Sequence, residues 1–226
     1  MNQAFDADEA PGRVAETKDR ILDSAEKLFA EHGFAATSLR QITADASVNL
    51  AAVNYHFQSK DSLILAVLMR KLEPINRRRL ELLDEVEAEA GDEPLSLEAV
   101  LGAFLLPVLE AKASGVELCT FPRLMGRMYT EPGEWMMRIF PQAFASVLLR
   151  FQSAFQRAMP GSVLAEIHWG MHLSIGAMAH YLAGGALLRT VSQGQADPSD
   201  TAAALPRLVA YMAAGLRALN EQKEGA

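Results

Sequence analysis

The sequence predicts an all-α protein of about nine helices, with a small N-terminal group of helices ahead of a larger helical body. Apolar residues recur at helical spacing in most segments, and no stretch sustains the alternation of a half-buried strand. Half of the residues are hydrophobic and 22% are charged, which is enough apolar surface for a sizeable core. We therefore expect a flexible arm at residues 1–13, a first domain at 14–62 and a second domain at 63–226.

The first domain contains three short helices, each with its own start or stop signal. Apolar residues such as Ile21, Ala25 and Phe29 form one stripe on a helix from Thr17 to His32, and Gly33 follows as a C-terminal stop. Ser38 and Gln41 have the spacing of a capping box and open a helix that ends by Ala46. Asn49 is a good N-cap for Leu50–Phe57, in which Val53 and Phe57 form the buried pair.

The second domain begins with a long helix from Lys60, capped by Ser59, with Pro74 as an expected kink. A break at Gly91–Pro94 ends it. Apolar periodicity then predicts five more helices, at Ser96–Ala113, Phe121–Tyr129, Gly133–Met159, Val163–Gln193 and Thr201–Glu221.

Charge and cysteine content limit the possible function classes. The formal net charge is −7, and residues 14–60 contain five Lys or Arg against six Asp or Glu, so bulk charge gives no support to a nucleic-acid partner. The acidic start has no apolar signal segment, and Cys119 is the only cysteine, which together favour a reducing cytoplasm without a cysteine-based metal cage. We find no nucleophile elbow, phosphate loop or carboxylate pair with a partnered base, so the sequence favours no enzyme and implies no cofactor.

The segment Thr37–Lys60 is the most informative part of the chain. A capped helix, a three-residue turn and a second helix too short to fold alone make a helix-turn-helix, whose second helix suits the major groove of DNA. With Val53 and Phe57 in the core, helical geometry turns three residues outward and puts two on the flanks. The outward residues are Ala51, Ala52 and Tyr55, the flanking ones are Asn54 and His56, and Leu50 lies at the N-terminal tip.

This segment resembles the TetR family of transcriptional regulators over about Thr17–Leu68. The matching residues are Ile21, Ala25, Leu28, Phe29, Gly33, Thr37, Ser38, Ile42, Ala46, Val48, Tyr55, His56, Phe57 and Lys60. The resemblance implies phosphate contacts from Thr37, Ser38, Asn49, Tyr55, His56 and Lys60, and base-edge contacts from Leu50, Ala51, Ala52 and Asn54. The sequence departs from the common pattern in having Ser47 where Gly is usual and apolar residues at the helix tip, which favours thymine-methyl readout beside one adenine-pairing residue, Asn54.

A narrower similarity concerns the effector. The run VNLAAVNYHF, with Phe34, Ser38 and Leu39 upstream, resembles the PsrA-like subgroup that responds to long-chain fatty acids. Beyond residue 70 the similarity is confined to Arg123–Met125 and Trp169–His172. It implies a small apolar or amphipathic effector, with a fatty acid or an acyl-CoA as the first guess.

The last two predicted helices have the composition of a buried interface. Residues 167–188 contain no Asp, Glu, Lys or Arg, but three histidines and many small residues interrupt the run, and no basic cluster flanks it, so we expect no membrane span. A helix without charge on any side is typical of burial on both sides. The family resemblance implies a homodimer through Val163–Gln193 and Thr201–Glu221, with a roughly palindromic operator to match its symmetry.

Seven of the ten methionines lie between residues 125 and 178, among several aromatic residues, a composition that suits either ordinary core or an adaptable apolar pocket. Taken together with the family resemblance, this regional enrichment favours the pocket, although each residue alone is more typical of core. Arg123 or Arg127, one helical turn apart, is our candidate for binding an anionic head group. The candidate wall of the chain-binding pocket consists of Met125, Met128, Phe140, Phe144 and Trp169, with His172 beside it. In this hypothesis the dimer represses by occupying its operator, and the helix from Lys60 couples effector to DNA.

Two alternatives stay open on the sequence alone. His168 and His172 share a helix face at i,i+4 and could bind a metal, although Trp169 excludes the HExxH pattern and no third ligand is specified. A helical protein-interaction adaptor would keep the body but would not need Asn49, Tyr55, His56 and Lys60 in this register. The sequence does not decide between repression and activation at a given promoter.

Overall fold

The computed structural model describes residues 11–113, 120–131 and 134–221, and within them the chain forms nine α-helices and no strand. The predicted all-α fold is confirmed. The helices are α1 (Pro11–His32), α2 (Leu39–Asp45), α3 (Leu50–Phe57), α4 (Lys60–Ala90), α5 (Leu97–Ala113), α6 (Phe121–Thr130), α7 (Glu134–Ala158), α8 (Leu164–Val191) and α9 (Thr201–Glu221).

The predicted boundaries differ most at the start of the chain. Helix α1 begins at Pro11, six residues before the expected Thr17, so residues 11–13 belong to a helix and not to the predicted flexible arm. Proline suits the first turn of a helix because its missing N–H has no partner there in any case. Helix α4 continues through Pro74 and ends at Gly91, whose φ of 56° suits a residue without a side chain.

A first hydrophobic core joins α1, α2, α3 and the first half of α4. Its fully buried members include Ile21, Phe29 and Ile42, and it extends along α4 as far as Ile75. The second domain contributes to the same core through Val108 of α5 and through Leu124 and Met128 of α6. The first domain is therefore built partly from residues distant in sequence.

A second hydrophobic core holds the body together. It begins on α4 at Leu83 and gathers apolar residues of α5, α7, α8 and α9. Phe104 and Phe151 pack edge to face at its centre, with ring centroids 5.2 Å apart. This core contains no residue of α1, α2 or α3.

Buried polar residues lie on α4 between the two cores. The Arg79 guanidinium is 5% exposed, donates to the Phe104 carbonyl oxygen at 2.8 Å and to Asn76 Oδ1 at 3.0 Å, and lies 4.2 Å from the centre of the Phe104 ring. The cores thus meet near Asn76 and Arg79, well beyond the boundary at residue 62 that the sequence predicts.

Among the described residues, length and composition would allow one helix to cross a membrane, namely α9 (Thr201–Glu221). The signal is weak, because a single helix packed in a soluble protein passes the same test. Here α9 places Met212, Ala213 and Leu216 in the second core.

Candidate nucleic-acid interface

The first helix of the predicted helix-turn-helix is fixed by a capping box. Gln41 N–H donates to Ser38 Oγ at 3.3 Å, and Ser38 N–H donates to Gln41 Oε1 at 2.7 Å. These bonds satisfy backbone donors that a helix start leaves without partners. Ser38 itself is exposed, at the N-terminal end of α2.

The turn between α2 and α3 has an unusual backbone. Ser47 has a φ of 52°, in the left-handed region that glycine adopts most easily. The Arg20 side chain, from α1, donates to the carbonyl oxygens of Ala46 and Ser47. This explains why the family pattern that the sequence resembles has Gly here, and how a serine is held in the same conformation.

Helix α3 is anchored by two side chains and presents the rest of its surface. Val53 and Phe57 are 1% and 5% exposed, which confirms the predicted inward pair. Asn49 caps the helix by accepting the Ala52 N–H at 2.8 Å. The exposed residues on this helix are Leu50 at 44%, Ala51, Asn54 and Tyr55 at 77%. They form the surface expected of a recognition helix.

Two predicted contact residues point elsewhere. Thr37 is fully buried, and its hydroxyl donates to the carbonyl oxygens of Leu28 at 3.1 Å and Gly33 at 2.8 Å. The prediction of a phosphate contact from this side chain is wrong, because the hydroxyl is used to close the end of α1. Ala52 is half-buried against the first core instead of facing outward, which corrects its place on the base-contacting surface.

The remaining predicted phosphate contacts cluster at the end of α3 and the start of α4. His56 is half-buried, with the Tyr55 ring at 5.1 Å and nearly perpendicular to it. Lys60 Nζ donates to the Ala35 carbonyl oxygen at 3.3 Å, and partial burial lowers the pKa of this amine from 10.5.

Arg40 is a further cation near the capped start of α2, and the sequence pattern did not single it out. Arg40 is exposed in the first turn of α2, two residues after Ser38. Its position next to a capped helix start was the available signal, and counting charges over the whole domain concealed it. Nearby Lys27 forms a 2.9 Å ion pair with Asp45.

The residues predicted to hold an effector are dispersed. Met128 is buried in the first core and Phe144 packs against it, whereas Trp169 is 58% exposed and His172 is exposed. The side chains of Met125 and Phe140 lie outside the described residues. Among the described side chains of this set, Met128 and Phe144 thus lie at the first core, whereas Trp169 and His172 lie on the surface.

The two candidate arginines have different surroundings. Arg123 is exposed, and both arginines border an open depression together with Ala30, Glu31 and Gly126. Arg127 pairs with Glu131 at 2.7 Å and donates to the Glu31 carbonyl oxygen at 3.1 Å. Of the two guanidinium groups, that of Arg123 is the more accessible to a ligand.

The histidine pair predicted as a possible metal site is not part of a larger ligand group. His168 Nε2 lies 3.0 Å from Gln152 Oε1, and the His172 ring packs edge-on to Trp169. Within the described ranges, no three His, Cys, Asp or Glu side chains gather in a way that could hold an ion.

Exposed apolar side chains follow the predicted dimer helices. On α8, Leu173, Leu187 and Val191 are 54%, 64% and 72% exposed, and Tyr211 of α9 is 73% exposed. Small residues let these helices pack closely, since a side chain on Gly170 would collide with Leu216 of α9. So much exposed apolar surface on two adjacent helices is typical of an interaction face.

A helix-turn-helix with an exposed second helix, joined to a larger helical body, is an architecture typical of DNA-binding transcriptional regulators. Comparison with known families agrees with this. Residues 21–67 match the family model described as bacterial regulatory proteins of the tetR family, and residues 102–215 match the tetracyclin repressor-like C-terminal domain. The chain belongs to the TetR family of regulators.

Individual relatives match over shorter parts of the chain. The regulator AcrR of Shigella flexneri is 38% identical over 96 residues, which are 42% of this chain and 41% of AcrR. The repressor Rv3405c of Mycobacterium tuberculosis is 46% identical over 65 residues, 29% of this chain and 35% of the relative. The chain thus spans less than half the length of either relative.

The solved structures support the fold over most of the chain. The structure of NalD, the secondary repressor of the MexAB-OprM multidrug efflux pump in Pseudomonas aeruginosa, covers 89% of this chain and 97% of NalD, with a TM-score of 0.60 and 22% identity. At this identity the likeness shows the shared fold alone. The PsrA-like subgroup stays a prediction.

Proposed function

We propose that the protein is a cytoplasmic repressor that binds a palindromic operator as a homodimer and leaves it when a small apolar effector binds. The observation that carries the proposal is the outward surface of α3, which holds Leu50, Ala51 and Asn54 on a helix anchored by Val53 and Phe57. A helix held in this way presents its side chains to base edges without losing much conformational entropy on binding.

The contacts to DNA divide into two groups by position. Asn54 is the residue able to pair with adenine through two hydrogen bonds, and Leu50 and Ala51 suit the methyl group of thymine. Ser38, Asn49, Tyr55, His56 and Lys60 surround this surface and are the proposed phosphate contacts, with Arg40 as an additional one. Because few of these are cations, specificity comes mainly from the base edges and from shape.

The proposed dimer forms through α8 and α9. Its support is the exposed apolar side chains on α8, Leu173, Leu187 and Val191, together with Tyr211 on α9. Two copies related by a two-fold axis would bury these faces in a four-helix interface and would present two recognition helices to a symmetric site. Burial in that interface also gives Trp169 and His172 a role other than lining a pocket.

The proposed effector is an amphipathic molecule such as a fatty acid or an acyl-CoA. Arg123 is the accessible cation for its head group, and the methionines and aromatic residues of α6, α7 and α8 supply apolar surface. Helix α4 contributes to both hydrophobic cores, so a shift of the body would move the helix-turn-helix. Binding would then favour a half-site spacing that no longer fits the operator.

The DNA part is tested by selecting bound duplexes from a random pool with the purified full-length protein. We expect a two-fold symmetric consensus, and we expect Asn54→Ala to weaken binding to it by roughly tenfold or more, the value of one good bidentate base contact. Met137→Ala changes an exposed residue of the body and serves as the control. Failure to select any sequence, or unchanged affinity in the Asn54→Ala variant, would contradict the proposal.

The effector part is tested on the same protein and its selected duplex. Free fatty acids and acyl-CoA thioesters of increasing length are added while tryptophan emission and duplex anisotropy are recorded. We expect a saturable change in emission that coincides with release of DNA, and a weaker response in Arg123→Ala. Release without saturation, at concentrations where the lipids form micelles, would count against a specific site.

A further inference from the structure

A polar contact between α6 and the end of α1 joins the body to the helix-turn-helix. The Phe34 N–H donates to Glu131 Oε2 at 3.0 Å, just after α1 ends. Arg127, one turn earlier on the same side of α6, pairs with Glu131 at 2.7 Å and donates to the Glu31 carbonyl oxygen at 3.1 Å. We refer to Arg127 and Glu131 as the α6 clamp.

The backbone at the end of α1 is shaped to admit the clamp. Gly33 is buried, has a φ of 90°, and a side chain added to it would collide with the Glu131 carboxylate. The clamp also suits the electrostatics of a helix end, because Arg127 places a cation beside carbonyl oxygens that carry partial negative charge. The Phe34 N–H and the Glu31 carbonyl oxygen are thus both bound by side chains from the second domain.

The helix that carries the clamp cannot move independently of the first domain. Leu124 and Met128, on the buried side of α6, are 0% and 2% exposed and belong to the first core. At the start of the helix, the Thr120 hydroxyl donates to Glu26 of α1. Helix α6 also packs against α8, the helix that would form the dimer interface.

We propose that Glu131 is a positioning residue, which together with Arg127 sets the orientation of the helix-turn-helix relative to α8. In a dimer this orientation fixes the distance between the two recognition helices and hence the half-site spacing that the protein accepts. The inference rests on the proposed dimeric operator binding and assigns the spacing to specific side chains. Removing the clamp leaves each helix-turn-helix intact but widens the range of spacings that bind.

The test uses duplexes in which the selected half-sites are moved apart or together by one and two base pairs. Dissociation constants are measured for the full-length wild type, Glu131→Ala, Glu131→Gln, Arg127→Ala and the control Arg78→Ala, which removes a surface arginine–glutamate pair with Glu81 within α4. We expect the ratio between optimal and altered spacing to fall about tenfold in Glu131→Ala, the equivalent of one charge-assisted hydrogen bond. Glu131→Gln keeps a hydrogen-bond acceptor, so its spacing ratio should lie between those of the wild type and Glu131→Ala. The affinity for a single half-site should be the same in all of these variants.

Amide hydrogen exchange gives a readout that does not depend on DNA. We expect the Phe34 amide to exchange faster in Glu131→Ala, with the buried Ile42 amide of α2 unchanged. A wild-type spacing ratio in both Glu131→Ala and Arg127→Ala, or equal broadening in the control Arg78→Ala, overturns the clamp. If the wild type selects no duplex, the proposed function fails instead of the clamp. The exchange rate of the Phe34 amide then tests by itself whether Glu131 accepts this hydrogen bond.

Discussion

The two hydrophobic cores are built on opposite principles. The first includes α2 and α3, which are too short to fold alone, and it depends on α4, α5 and α6 for residues such as Ile75, Val108 and Leu124. The second consists of long helices, α4, α5, α7, α8 and α9, and takes nothing from α1, α2 or α3. The DNA-binding domain therefore needs the body for its stability, whereas the body's core does not need the DNA-binding domain.

This asymmetry also shows where the domains meet. Asn76 and Arg79 are the buried polar residues on α4 between the cores, so the first half of α4 belongs physically with the recognition helix. A boundary drawn at the start of α4 would remove Leu63, Val67 and Leu72 from the core that holds the recognition helix. The DNA-binding domain is for this reason a poor candidate for excision at residue 62.

The largest expected effect comes from removing one ring from each core. Phe29→Ala and Phe151→Ala, both at fully buried residues, should each lower the free energy of unfolding by about 3–5 kcal/mol. In Phe29→Ala we expect the first domain to unfold at lower denaturant concentration while tryptophan emission from the body stays native. Circular dichroism and emission, followed together in urea, measure this; coincident transitions in that variant would show that the cores are mutually dependent.

The contribution of α6 to the first core is tested by Leu124→Ala. Because this leucine is fully buried, we expect a loss of about 2–4 kcal/mol, with the change concentrated in the first domain. Met137→Ala, at a side chain 79% exposed on α7, should leave the midpoint within error. If Leu124→Ala were as mild as the control, the first core would not depend on α6.

An ion-pair network across the same junction gives a smaller, pH-dependent effect. Burial raises the pKa of Glu26, but hydrogen bonds from Thr120, Arg70 and Lys71 outweigh burial and lower the pKa below 4.5. The stabilisation provided by the charged Glu26 carboxylate is thus complete above the pKa of this group in the unfolded chain. It is lost as the pH falls through the lower pKa of the folded protein. Glu26→Gln should cost about 2 kcal/mol at pH 7 and flatten the acid side of a Tm-against-pH curve; an unchanged acid limb would contradict this.

The smallest effect concerns the turn in front of the recognition helix. Ser47→Gly removes the strain of a left-handed backbone and should stabilise the first domain by about 0.5–1 kcal/mol. Ser47→Ala keeps the strain and is the matched control. A gain from both substitutions in thermal unfolding would assign the effect to the serine hydroxyl and not to the backbone.

The sequence predicted the local features of the fold well. Capping residues Ser38, Asn49 and Ser59 each begin the helix expected of them, and α9 has the predicted limits. These features depend on hydrogen bonds between near neighbours, which a linear pattern contains. The orientation of Val53 and Phe57 followed from helical periodicity alone.

What the sequence could not supply was contact between distant segments. Thr37 was expected at the DNA from the family resemblance and its place at a helix N-terminus, yet its hydroxyl donates to the carbonyl oxygens of Leu28 in α1 and Gly33 just after it. Arg127 was expected at a ligand, although Glu131 and the end of α1 engage it. Whether Arg123 or Arg127 is engaged by other groups of the protein depends on tertiary packing, about which helical spacing carries no information.

The low charge of the DNA-facing side has a consequence for how the protein would search a genome. Each phosphate neutralised by a cation adds about 0.9 to the slope of log affinity against log salt concentration, and among the described residues Lys60, Arg40 and Arg20 are cations on or beside the helix-turn-helix. Affinity should therefore fall less steeply with ionic strength than for a regulator that neutralises many phosphates. The small number of cations also shortens the time that the protein stays bound to DNA of random sequence. A few copies per cell would therefore be found mainly at operator sites.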